Sequence, residues 1–151
     1  MWGAWAIADG GVLDAKNLKA CWHAPWSNDA TFEVAGGSGV WESCSVRSIG
    51  GVVVECTLEA NLTLSRCSVG GLNSENRRAQ EGLIACMKSR VAMSSCTVEM
   101  CGAISGFGVQ ALDESVVVAE ACSIRLNAVG LVVASRADVV LRGELTLASY
   151  P

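Results

Sequence analysis

Eight cysteines, one histidine and 15 carboxylates are the side chains able to carry chemistry in this sequence of 151 residues, and their spacing decides what each is fit for. Four cysteines open the same triplet: Cys44-Ser45-Val46, Cys67-Ser68-Val69, Cys96-Thr97-Val98 and Cys122-Ser123-Ile124. Leu145-Thr146-Leu147 is a degenerate further copy, and Cys21 fits by spacing alone. The intervals of roughly 23–29 residues fall in the range of stacked-repeat architectures. No Cys-x2-Cys pair is present; Cys56 and Cys86 fall in different repeats, and four residues separate Cys96 from Cys101. No metal site is therefore expected. The periodic cysteines read as small core residues, a role the free thiol fills readily. Cys86 and Cys101 are expected off that column and reactive. Periodic core cysteines argue against a disulfide framework and favour a reducing intracellular compartment, cytosol or organelle interior.

The carboxylates do not assemble into a catalytic pair. Asp9, Asp14, Asp29, Asp113 and Asp138 are dispersed at non-equivalent repeat positions, and Asp113-Glu114 is an adjacent pair whose side chains would diverge at a corner. General acid–base work needs two such groups converging on one bond. His23, within Cys21-Trp22-His23-Ala24-Pro25-Trp26, reads as a packed loop histidine. No catalytic residue and no cofactor is expected. The polar, doubly basic stretch is the segment 70–81, which holds Asn73, Glu75, Asn76, Arg77 and Arg78. As a recognition loop it would use Arg77 and Arg78 to grip a carboxylate, since guanidinium forks match that geometry; otherwise it is a solvated insertion. Asn73, Glu75, Arg77 and Arg78, with Trp22 and Trp26, are the candidate partner-binding residues.

The elements that must position these groups are short strands. Gly82-Leu83-Ile84-Ala85, Gly108-Val109-Gln110-Ala111 and Gly130-Leu131-Val132-Val133 recur in phase with the cysteine triplets, as does Gly51-Val52-Val53-Val54. Each precedes an apolar pair: Leu62/Leu64, Val91/Met93, Val116/Val118 or Val139/Leu141. Alternation of apolar residues and abundance of Val, Ile and Thr exclude helices. One repeat is thus three strands with corners between them. Successive coils stacking about 4.8 Å apart would place equivalent residues in ladders. One predicted inner ladder runs Cys21, Cys44, Cys67, Cys96, Cys122, Leu145; a second runs Leu18, Trp41, Leu64, Met93, Val118, Leu141.

On these residues, best on the segments 82–98 and 130–147, the chain resembles the parallel β-helix repeat family of the pectate-lyase-like superfamily. It is most similar to the non-catalytic repeats found beside F-box domains and in other eukaryotic scaffolds. The resemblance implies an all-β fold, a right-handed parallel β-helix of five to six coils, covering residues 31–151 behind an irregular N-terminal coil or cap at 1–30. It is nearly silent on function, because the superfamily hosts lyases, hydrolases, adhesins and scaffolds. The Asp-Asp and Gly-His-Gly motifs of its pectin-cleaving hydrolases are missing here.

Composition bounds the rest. Net charge is −4, from 11 Lys and Arg against 15 Asp and Glu, so the basic footprint of a nucleic-acid binder is missing. No run of 18 uncharged apolar residues suggests a membrane span. Residues 1–10 lack a basic leader and meet Asp9 too early for a signal peptide. Asn61-Leu62-Thr63 is a formal glycosylation sequon at the head of a predicted strand. The column Ser45, Ser68, Thr97, Ser123, Thr146 would form an outward hydroxyl ladder; ice-binding faces carry two threonine columns, so a polar strand face is the simpler reading. Trp2, Trp5, Trp22 and Trp26 gather in the least regular region, while Trp41 should fill the tube. The expectation is a non-catalytic structural or protein-interaction module, an accessory subunit of a larger assembly. The alternative is a carbohydrate-binding or carbohydrate-active β-helix in which Trp22 and Trp26 stack on sugars.

Overall fold

The computed structural model describes residues 5–8, 10–23, 30–72, 79–102 and 106–149. Every regular element within them is a strand, and every pairing is parallel. The first sheet contains β1 (Trp5–Ala8), β4 (Ala30–Ala35), β7 (Val52–Thr57), β10 (Glu81–Ala85), β13 (Phe107–Ala111) and β16 (Val129–Val133), in that order. The second contains β2 (Val12–Lys16), β5 (Ser38–Glu42), β8 (Asn61–Ser65), β11 (Arg90–Ser94), β14 (Val116–Glu120) and β17 (Asp138–Arg142). The third contains β3 (Lys19–His23), β6 (Ser45–Ile49), β9 (Ser68–Gly71), β12 (Thr97–Glu99), β15 (Ser123–Asn127) and β18 (Thr146–Ser149). Each strand pairs with its equivalent one coil away, which makes a parallel β-helix with three strands per coil. Trp26 and residues 73, 75, 77 and 78 lie outside the described residues. Trp22 and His23 are backbone members of β3, paired with Ser48 and Ile49, so the expectation of a loop histidine at 23 is corrected to a strand position.

Inward side chains from the three sheets fill one lumen. The first sheet contributes Phe32, Val54, Leu83, Val109 and Leu131 in register, with Val34, Cys56, Ala85, Ala111 and Val133 beside them. The second contributes the column Ala15, Trp41, Leu64, Met93, Ala119, Leu141. Trp41 is fully buried, donates its indole N–H to the Leu13 carbonyl at 3.1 Å and meets Phe32 edge-on at 4.9 Å. A Cβ on Gly39 would lie 2.9 Å from that indole nitrogen, so the glycine makes the room the tryptophan occupies.

Three register expectations are corrected. Cys21 is not on the thiol column and Leu18 is not on the Trp41 column: Lys19 pairs with Ser45, so Leu18 lies beneath Cys44, Ala15 takes the expected place of Leu18 beneath Trp41, and Cys21 pairs with Arg47 and is exposed. The cause is the corner between second and third sheets, which is one residue with positive φ at Asn17, Ser43, Arg66, Ser95 and Ala121. The inward position is the residue immediately after it, and after Asn17 that is Leu18. Second, the inward pair of β14 is Val117 and Ala119, not Val116 and Val118. The run Val116-Val117-Val118 is apolar throughout, so alternation alone could not choose; a one-residue slip exchanges every face. Third, Leu83 pairs with Val54, so Gly51 does not share a rung position with Gly82.

Candidate functional site

The column that the triplets build is Leu18, Cys44, Cys67, Cys96, Cys122, Leu145, each residue followed by a third-sheet strand. Each cysteine points into the lumen from a tight corner. Its thiol donates to a carbonyl two residues back: Cys44 to Glu42 at 3.4 Å, Cys67 to Ser65, Cys96 to Ser94 and Cys122 to Glu120, these three at 3.3 Å. Cys67 and Cys96 also reach carbonyls of the preceding coil, those of Trp41 and Leu64. A small side chain with one weak donor suits this position, because the corner turns two carbonyls toward it. Burial pushes the Cys44 thiol up. Hydrogen bonds to Cys122 and Cys67, followed by burial, hold Cys96 in its neutral form. Among the described residues no group of three or more His, Cys, Asp or Glu is arranged to hold a metal ion.

Cys101 is off the column as expected but is not exposed for reaction. It is fully buried, and burial pushes its thiol up to about 12, as it does for Cys56. Cys86 is half-buried and also raised, by burial first and then by Glu55 and Asp113.

Two residues downstream of the hydroxyl column runs a charged one: Arg47, Gly70, Glu99, Arg125. Arg47 reaches two coils to Glu99 at 3.2 Å, passing over Gly70, and also donates to Ser68 Oγ at 2.5 Å and the Gly71 carbonyl at 3.1 Å. Gly70 has a φ of 151°, and a Cβ there would run into the Glu99 carbonyl. Arg125 donates through Nε to the other Glu99 oxygen at 3.1 Å. The Arg47 and Glu99 side chains are 20% and 16% exposed, against 51% for Arg125. These groups border a shallow cavity of about 390 Å³ with Gly71, Leu72, Met100 and Leu126. Sequence reasoning missed this cluster, although counting three positions on from each triplet cysteine aligns all four members. Buried Asn127 was missed too; it accepts the Cys101 N–H at 3.0 Å and donates to the Val98 carbonyl at 3.1 Å.

The outer face of the second sheet is nearly uncharged along its middle. Asp14, Val40, Thr63, Ala92, Val118 and Val140 form the central column in strict register. Charges sit on its flank, where Glu42 pairs with Lys16 at 3.0 Å and with Arg66. The predicted hydroxyl column is present on the third sheet, with Lys19 below Ser45. Its neighbour is the Arg47–Glu99–Arg125 column, so that face is not the flat hydroxyl lattice an ice plane requires.

No family model, no curated protein and no solved structure matches this chain. Among the described residues, no helix is long and apolar enough to cross a membrane.

Proposed function

We propose that this protein is a non-catalytic interaction module, of the scaffold kind within the pectate-lyase-like superfamily, whose working surface is the outer face of the second sheet. The observation that carries the reading is the central column just described. Val40 is 54% and Val140 38% exposed on one rigid face, with Thr63, Ala92 and Val118 between them. Aligned exposed apolar side chains on a backbone fixed by parallel ladders cost little ordering entropy when a protein partner covers them. Interface cores are depleted in charge and ringed by polar groups; Arg90, Glu120, Asp138 and Arg142 provide such a ring here.

The test is a pair of outward charges, Thr63→Lys with Ala92→Glu, in the full chain. Both side chains point to solvent, so thermal stability should stay within a few degrees of the wild type. Association with the protein that co-purifies from the native source should be lost. Identical co-purification by the variant would overturn the proposal. Retention of the wild type on a polysaccharide, unchanged by these two substitutions, would transfer the case to the carbohydrate reading.

A further inference from the structure

We infer that the corner between the first and second sheets is a self-association surface, on which a second copy of this chain docks with its coils running in the opposite direction. Four consecutive corners there are two-residue turns with both φ values positive: Leu58-Glu59, Met87-Lys88, Asp113-Glu114 and Ser135-Arg136. Each is closed by an i to i+3 hydrogen bond, as from Ala60 N to the Thr57 carbonyl at 3.1 Å. Turns of this type favour Asn and Gly, because left-handed backbone crowds a Cβ. All eight residues carry side chains, and all eight are exposed. They gain no core burial that would offset the strain. Their side chains line one groove of about 690 Å³.

The charges on this ridge alternate along the axis: Glu59, Lys88, Glu114, Arg136. Such a row is converted into its complement when reversed end to end. A second copy in the opposite direction sets Glu59 against Arg136 of the partner subunit, and Lys88 against Glu114 of the partner subunit. The surplus carboxylate, Asp113, then lies opposite Met87 of the partner subunit, on the same rung as Lys88 of the partner subunit. Copies running in the same direction would instead bring Asp113 and Glu114 onto each other.

The pitch favours the same occupant. Ridge side chains repeat every rung, about 4.8 Å, whereas one face of an extended strand repeats every ~6.8 Å and a helix every ~5.4 Å. Another coil stack keeps step over all four rungs. Within one chain, alternation brings Arg136 to Glu114 at 2.8 Å. Pairing inside the chain is therefore the competing use of the same charges, and the experiment separates the two. The ridge is distinct from the second-sheet face, so this inference does not rest on the proposed function.

Sedimentation velocity of the full chain should show association that is salt-sensitive, present near ~10 mM salt and lost near ~1 M, where the screening length falls from about 30 Å to 3 Å. Two variants decide the surface. One carries Glu59→Lys with Glu114→Lys, the other Lys88→Glu with Arg136→Glu. Each alone should be monomeric, and an equimolar mixture should recover the dimer. A wild type that stays monomeric at low salt overturns the inference. So do variants that self-associate as the wild type does, or a mixture that stays monomeric. Should either variant fail to fold by circular dichroism, Leu58→Cys mixed with Ser135→Cys replaces it. Mild oxidation should then link position 58 to position 135 between chains. Links of 58 to 58 and 135 to 135 alone would point to copies in the same direction and overturn the antiparallel arrangement.

Discussion

Val54 and Cys96 illustrate how unforgiving the lumen is for a single side chain. Val54 is fully buried between Phe32 and Leu83 of adjacent coils. Val54→Asp would bury a carboxylate among the apolar side chains of the lumen, and should cost more than about 4 kcal/mol, read as a collapse of the urea midpoint. Thiol chemistry follows the corrected positions. Cys21 is exposed and should label rapidly with a maleimide in the native protein, whereas Cys44, Cys67, Cys96, Cys101 and Cys122 should label only as the chain unfolds. Rapid native labelling of the column would contradict the burial described above. Glu55 carries a pH signature. Burial, then the neighbouring charges of Glu33 and Glu81, raise its pKa above the ordinary 4.5. The native state therefore keeps a proton that the unfolded chain has already released, and stability should fall as pH rises through the interval above 4.5. Glu55→Gln should flatten that slope in urea titrations across the interval and leave the protein more stable at pH 7.

At the scale of elements, ladders depend on corners. The single left-handed residue before each triplet sets which side chain enters the lumen, and one charged cluster ties four successive coils of the third sheet together, from β6 to β15. Arg47 and Arg125 share Glu99 but differ in exposure. Arg47→Met should cost about 1–2 kcal/mol, since it strips a largely desolvated carboxylate of one partner. Arg125→Met should cost less than about 1 kcal/mol, because a half-exposed guanidinium is screened by water. Thermal unfolding of the two variants at matched salt gives the comparison directly, and equal losses would argue against the packing described for Arg47.

Across the whole molecule, stability is distributed coil by coil, because each rung touches chiefly the rungs beside it. Middle coils are covered on both sides, and Val54, Leu83, Val98 and Val109 are fully buried. In the coil of β16, β17 and β18 the inward residues Val133, Leu141 and Leu147 remain exposed, with a rung on one side only among the described residues. Amide exchange should therefore be slowest in β7, β10 and β13 and fastest in β16 to β18. Uniform protection across all coils would show that the stack opens as one unit instead.

The repeat of Cys-Ser/Thr-Val triplets was enough, without coordinates, to determine a three-strand coil, because chemistry recurring at one interval can stack only if the backbone returns to the same place each turn. Trp41 filling the tube and the outward hydroxyl column followed from alternation in the same way. Register was not determined. Cys21, Val118 and Gly51 were misplaced because a run such as Val116-Val117-Val118 has no polar residue to mark its outer face, and a corner of one residue looks like any other. The Arg47–Glu99–Arg125 bridge and the alternating ridge of Glu59, Lys88, Glu114 and Arg136 were likewise left to the tertiary structure. Each joins residues more than twenty positions apart, and charge pairing depends on distances that only the stacked coils set.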